Sequence, residues 1–508
     1  MTTPEKIYVE EAADASAETI VDGAATRPKL RPVVKRSAPY ETAEIVLREI
    51  YPREERLIHY RDNFYQWTGS HYREVDHGEI RSHLYAFLND AIVLTQTGEP
   101  RPFCPDKPKV DKVMDALKAR TRIDNDLQAP AWLADADPQL ATEHEPADLL
   151  PCANGLLGLK TGEMLDHTPS FLTMNAVDYT YDPEAKAPHW NQFLQEILPG
   201  DLGAQETLQE IFGYLLTPDT RQQKIFLLIG ASRSGKGTIA RVLKALLGGN
   251  PNVAGPTLAD LRDHFGLQPL IDKRAAIVSD ARLAGQSHEL VERLLSISGE
   301  DAIAVPRKHK EHWHGTLGVR FLILSNELPS LTDASGVIAS RCILIRLRQS
   351  FLGREKTGLT ATLIGELPGI LNWAIEGLRR LRQRQNFVQP ASSAEMIELL
   401  EDVASPIRRF IKECCEVGPE VGVARDVLCA AYEKWRAENG HHRMSKTRFG
   451  QALMAAEPSV DIRRPGGRGN QTYWCYGIGR TGGERAALIA DKIVQPPLSS
   501  MTAVAGTA

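Results

Sequence analysis

The chain is 508 residues long, 42% apolar and 25% charged, with a formal net charge of −5, which fits three or four ordinary globular domains and excludes a fibrous or wholly disordered protein. Its seven cysteines show no Cys-x-x-Cys spacing and no paired histidines complete a zinc set, so neither structural zinc nor a disulfide framework is expected. No apolar run approaches a membrane span and the polar, acidic start is unlike a secretion signal, so the expected address is cytoplasmic, with no membrane partner. In chain order, residues 1–39 mix Ala, Thr, acids and then RPKLRPVVKR, a composition that reads as a disordered tail. Residues 57–75 alternate aromatic and polar residues around Thr68-Gly69-Ser70 and predict a β-hairpin. Its aromatics suit either a hairpin core or stacking on bases. Helical patterns follow over 79–94 and 109–122, and Asn154-Gly155 with residues 160–162 punctuates a second β segment.

The strongest chemical signal is IFLLIGASRSGKGT over residues 225–238. A buried strand (225–229) gives way to the loop Gly230, Ala231, Ser232, Arg233, Ser234, Gly235, Lys236, Gly237, Thr238, and a helix follows over 239–247. Such a loop curls so that successive N–H groups and a helix N-terminus face a phosphate, while Lys236 reaches the β- and γ-phosphates of a nucleotide. The residue after the lysine, usually a hydroxyl that meets Mg²⁺, is Gly237, and the hydroxyl comes at Thr238. Either Thr238 serves the metal through a shifted register or a water does. Further along, KRAAIVSD ends a short strand on Asp280, suited to Mg²⁺ or to capping the next helix. SGEDAIAVPRKHKEHWHG packs Arg307, Lys308, His309 and Lys310 beside Trp313, which suits a nucleic-acid backbone with stacked bases or a solvated loop. A strand over 319–325 leads to Asn326, whose amide can orient water, and Arg341 stands just before another strand, where an arginine finger would be.

Together these residues resemble the superfamily 3 helicases, specifically the phage and plasmid primase–helicase family that includes the poxvirus uncoating ATPase. The loop 230–238 matches that family's Walker A, Asp280 its Walker B acid, GEDAIAVPRKHK its DNA-contacting B-prime motif, and Asn326 with Glu327 and Pro329 its motif C. LPGILNWAIEGLRRLRQRQNF is similar to the segment that closes the ATPase domain, and LLPCANGLLGLKTGEML to the preceding helicase-associated domain. The resemblance covers most of residues 45–478. It implies an α/β fold: an AAA+-like P-loop superfamily 3 ATPase core, an α+β N-terminal helicase-associated domain and a C-terminal winged helix. It also implies ATP and Mg²⁺ as cofactors, a homo-hexameric ring, single-stranded or forked DNA as partner, and 3′-to-5′ translocation in a bacterial or phage-infected cell. Lys236, Asp280, Asn326 and Arg341 take the catalytic roles, with Thr238 and Asp280 near the metal. One departure is the single acid at Walker B, since Asp280 precedes Ala281 and Arg282. Glu289, Glu292 and Glu300 are alternatives for a second carboxylate. No primase cluster is evident, so primer synthesis by this polypeptide is not expected and a separate primase is a candidate partner.

After the motor, residues 392–417 and 423–440 read as amphipathic helices, 445–457 as a third helix with Ser445 as N-cap, and 460–478 as two strands around a Pro-Gly-Gly turn. Lys446, Arg448, Arg463, Arg464 and Arg468 are the side chains expected on phosphates. Although the net charge is acidic, the acids crowd residues 5–22, and a positive surface is expected at 379–384 and 441–468. The expected boundaries are a tail over 1–39, the helicase-associated domain over 40–200, the ATPase over 201–388, the winged-helix-like domain over 389–479 and a flexible tail over 480–508. The alternative to a helicase is an ATP-switched initiator or loader that binds DNA and partners without processive unwinding.

Overall fold

A computed structural model describes residues 8–9, 31–279, 288–308, 310–329, 337–441, 443–464 and 472–481. Its centre is a five-stranded parallel sheet. The strands, β1 (Ile225–Gly230), β2 (Val253–Ala254), β3 (Ala275–Val278), β4 (Arg320–Ser325) and β5 (Cys342–Leu347), lie in the order β2-β3-β4-β1-β5. Register pairs Phe226 with Leu322 on one side of β1 and Ile225 with Cys342 on the other. Strands buried on both faces need continuous apolar sequence, and IFLLIG and RFLILS supply it. Alternate residues feed two cores: Phe226 and Leu228 join Trp190, Phe212, Ile239 and Leu371. Ile225, Leu227 and Ile229 join Leu290, Leu294, Trp313 and Leu400.

The first core is closed by α1 (Pro188–Ile197), α2 (Leu202–Leu216), α3 (Lys236–Leu246) and, beyond β5, by α5 (Leu367–Arg384); α4 (His288–Ser298) belongs to the other face. Leu150, Leu157 and Val177 pack in the first core as well, so that core runs continuously across residue 200. The crossing of α2 and α5 depends on two glycines: a Cβ on Gly213 would stand 2.3 Å from Ala374 O, and one on Gly377 2.3 Å from Gln209 O. The basic end of α5 is partly paired. Arg380 (2.7 Å) and Arg384 (2.5 Å) both grip the buried Glu210, and Arg382 pairs with Asp148. Two carboxylates against the four arginines of 379–384 leave this end of α5 positive, with Arg379 exposed, so part of the expected positive surface remains.

Towards the N-terminus, residues 57–75 form a three-stranded antiparallel meander, Leu57–Tyr60, Asn63–Trp67 and Tyr72–Val75, in place of a single hairpin. Arg61 (φ 49°) and Asp62 (φ 66°) supply the left-handed pair of a two-residue turn, and the Thr-Gly-Ser segment makes the second turn. Tyr60, Phe64, Tyr65, Trp67 and Tyr72 are buried, so these aromatics are core and offer no stacking platform. The helix expected over 79–94 is His77–Asp90, capped by Asp76, and Ile92–Leu94 is a strand instead. β-Branched Ile92 and Val93 favour that outcome.

The C-terminal part packs α6 (Pro406–Cys414), α7 (Arg425–Glu438) and α8 (Lys446–Ala456) on an antiparallel sheet of Cys415–Ala424, Trp474–Arg480 and Asp461–Arg463. Phe410, Tyr432, Trp435, Phe449, Cys475 and Ile478 form its core. Two expectations change here. The helical reading of 392–417 is broken at Ser405-Pro406, with Pro406 opening a new helix, and Cys415–Ala424 adds a third strand. Among the described residues no helix is long and apolar enough to cross a membrane.

Candidate nucleotide and nucleic-acid site

The loop between β1 and α3 lies at the C-terminal edge of the parallel sheet, where α/β folds place their ligands. Left-handed backbone at Arg233 (φ 59°) and Gly235 (φ 98°) curls it. A Cβ on Gly235 would approach Ile197 Cγ2 to 3.0 Å and Phe193 Cζ to 3.3 Å, so a side chain there would press into α1. The segment after β5 clasps the loop from outside: Ser350 Oγ donates to Ser232 O (2.9 Å), Phe351 N to Arg233 O (3.0 Å), and Glu355 meets Arg233 Nε at 3.4 Å.

Lys236, only 9% exposed, turns its ammonium back into the loop. Nζ donates to Gly230 O (2.5 Å), Ala231 O (2.8 Å), Ser234 Oγ (3.2 Å) and Asn326 Oδ1 (3.0 Å). These oxygens stand where phosphate oxygens would compete, since an ammonium has three donors. The contact with Asn326 joins two sequence motifs 90 residues apart. Thr238 Oγ1 borders the same space and accepts from Arg241 Nη2 at 3.3 Å. Gly237 and Ser279 line it too. Asp280 lies outside the described residues, as do His309 and Arg468, and of Lys310 only the backbone is described.

Around the loop lies a cavity of about 590 Å³, within the usual size of small-ligand sites. Phe193, Ile197, Phe351 and Leu359 make an apolar wall; Arg233, Lys236, Arg241, Arg354 and Lys356 face Glu196 and Glu355. A wall of this kind beside an excess of cations fits a nucleotide with its phosphates on the loop. Lys356 bonds Glu196 at 3.0 Å and holds that carboxyl below its ordinary range. Sequence reading missed the walls, because they come from segments about 40 residues before and 120 after the loop and carry no motif. For a metal, the described residues hold no group of three His, Cys, Asp or Glu side chains; the hydroxyls of Ser234, Thr238, Ser325 and of Ser279, just after β3, line the cavity.

Arg341 is elsewhere. Parallel pairing sets it level with the start of β1, one strand length or roughly 17 Å from the phosphate loop. Its Nη1 donates to Leu295 O (2.6 Å) and Ser298 Oγ (2.9 Å), the C-terminal turn of α4. Glu300 follows that turn and accepts from Thr220 and Gln223, also away from the cavity. The basic segment is an antiparallel hairpin, Ile303–Arg307 with Lys310–Gly315. Trp313 is 9% exposed and packs in the core, so it is no stacking platform; Arg307 Nε is bonded to Glu311 O (2.8 Å), and Lys308 is exposed.

In the C-terminal part, Ser445 caps α8 as expected. Lys446 pairs with Asp426 (2.9 Å) and Arg448 is exposed on the same helix. On the sheet, Arg463 lies 4.5 Å over Tyr476 and Arg464 4.4 Å over Tyr473. Both arginines are exposed there.

Three family matches divide the chain. Residues 43–199 match the D5 N terminal like family, residues 228–341 a family of unknown function (DUF5906), and residues 405–482 the RFX DNA-binding domain. Among solved structures, the chain is similar to the apo C-terminal region of NrS-1, with 11% identity, TM-score 0.48, and coverage of 87% of this chain and 99% of that one. A second structure, the A form of the same region, matches with 9% identity, TM-score 0.48 and coverage of 87% and 100%.

Proposed function

We propose that the protein is a Mg²⁺- and ATP-dependent DNA helicase of the superfamily 3 type, acting as a ring in phage, prophage or plasmid replication. The observation that carries this reading is the contact of Lys236 Nζ with Asn326 Oδ1 at the mouth of a cation-rich cavity. It sets a phosphate-binding lysine beside an amide able to orient water. On ATP binding, the ammonium exchanges Gly230 O and Ala231 O for phosphate oxygens, and the amides at the start of α3 complete the anion site. Thr238 and Asp280 are the residues that would hold Mg²⁺, and the ion would supply charge neutralisation at the transferred group. Arg341 is too far from its own subunit's loop to act there, which suits a finger offered to a neighbour once released from α4. The matches to the D5 N terminal like and RFX DNA-binding families support a DNA-associated role.

The test is ATP hydrolysis by the purified chain with and without single-stranded DNA, together with strand displacement on a long forked duplex. Hydrolysis stimulated by DNA and progressive displacement are expected; absence of nucleotide binding refutes the reading. The second reading, an ATP-switched initiator or loader, is favoured by the burial of Trp313 and the bonding of Arg307, which shift DNA contact towards the C-terminal part. It predicts ATP-dependent DNA binding without displacement of the long duplex.

A further inference from the structure

A second cavity, of about 340 Å³, lies at the opposite end of the sheet from the phosphate loop. There the starts of β3 and β4 meet residues 128–130, residues 173–175 and the root of the hairpin at residues 313–318. Arg61, Lys273, Arg274 and Arg320 border it, and Asp272 is the one carboxylate among its lining residues.

Arg274 and Arg320 are 6% and 4% exposed. Desolvation pushes both guanidinium groups down to about 10, and Arg320 further depresses Arg274. Their hydrogen-bond partners are neutral. Arg274 donates to Leu216 O, and Arg320 to Gly318 O (2.8 Å), Leu215 O (3.1 Å) and Thr217 O (2.5 Å). Each guanidinium has five donors, and the Nε–H of Arg320 is buried without an acceptor. The last carbonyls of α2 explain part of this arrangement, because a helix C-terminus attracts cations. Arg61 and Lys273 border the same cavity beside Asp272, which interacts with both, while their hydrogen bonds go to Asn125 O, Asn250 O and Pro251 O. Asp219 acts on Arg320 and Asp272 on Arg61 and Lys273, but four cations against one lining carboxylate leave the cavity positive, and buried charge so weakly compensated is costly, a cost that an anion in the cavity would offset.

We infer that this cavity binds a phosphate-type oxyanion, gripped by the forks of Arg274 and Arg320 and screened at the rim by Arg61 and Lys273. The oxyanion is either a free phosphate group or a phosphodiester of a strand leaving the hairpin. The site is independent of the nucleotide reading, and the experiment keeps them apart by using the full chain with Lys236→Ala, which removes the phosphate-loop cation. Calorimetric titration with inorganic phosphate, and separately with an oligothymidylate, is compared between that chain and the same chain also carrying Arg61→Ala and Lys273→Ala. Saturable binding of one probe is expected, weakened about tenfold or more by the rim pair and by Arg320→Lys, which keeps the charge but loses the fork. Loss confined to phosphate identifies a free phosphate group as the ligand; loss of oligothymidylate affinity identifies a phosphodiester. No saturable binding of either probe, or affinities unchanged in the folded rim variant, overturns the assignment.

Discussion

Replacing Lys236 by Ala separates the chemistry of the loop from its stability. Among the described residues the ammonium touches four oxygens at 2.5 to 3.2 Å, and Lys236 is 9% exposed. Hydrogen bonds to a charged group are worth about 1.5–3 kcal/mol each, so a naive sum would predict collapse. That sum is wrong here, because the loop borders an open cavity and its carbonyls regain water once the side chain is gone. A net loss of about 1 kcal/mol is expected, which lowers Tm by about 2–4 °C in a domain of this size. Catalysis has no such substitute. Loss of one preorganised donor to transition-state charge costs about 2.7–4 kcal/mol, or about 10²–10³ in turnover. The assay is steady-state ATP hydrolysis at saturating nucleotide, with thermal unfolding of the same preparations. Turnover within about threefold of wild type in a normally folded variant would refute the reasoning.

Arg341→Ala should bind nucleotide yet hydrolyse little, and mixing it with Lys236→Ala subunits should restore part of the activity, since each supplies the half the other lacks; no recovery in verified mixed rings argues against action across a boundary. Lys308→Ala with Lys310→Ala should weaken single-strand binding, flatten its salt dependence and reduce DNA-stimulated hydrolysis more than basal hydrolysis; an unchanged salt slope with intact unwinding returns the hairpin to a solvated loop. Gly377→Ala, whose Cβ would meet Gln209 O at 2.3 Å, should destabilise the α2–α5 crossing by about 1–3 kcal/mol or more in denaturant unfolding; an unchanged midpoint would show that the helices part freely. Glu196 has its carboxyl held low by Lys356, so the pair stabilises above the unfolded carboxylate value and loses that contribution as pH falls through the lowered folded value. Both side chains are substantially exposed, so Glu196→Gln should cost less than about 1 kcal/mol at neutral pH and nothing at low pH; a cost that persists in acid would show packing as its source.

What the sequence by itself determined is local. The run IFLLIG, the turn at Gly235 and a following helix form as expected, because a strand, a left-handed turn and a helix are each set largely by neighbours within a few residues, although the helix starts at Lys236, three residues before the expected 239. Ser445 caps its helix for the same reason. Other features rest on partners far away in the chain. The first turn of α1 is capped by the carboxylate of Glu366, which accepts from His189 N and Trp190 N across more than 170 residues. Trp313 looked like a stacking surface beside basic residues, but the packing of the hairpin on α4 and the sheet buries it. Cys415–Ala424 has little strand character in its Gly- and Pro-containing sequence, and pairing with Trp474–Arg480 makes it one. Three of the four arginines at the end of α5 find partners in Glu210 and Asp148, which arrive from other segments and which no local pattern announces. Likewise the walls of the nucleotide cavity and the four cations of the second cavity come from separate stretches of chain. Short-range sterics and hydrogen bonding write an element into its own residues, whereas burial and charge compensation depend on what folding brings alongside, and only the tertiary structure decides them.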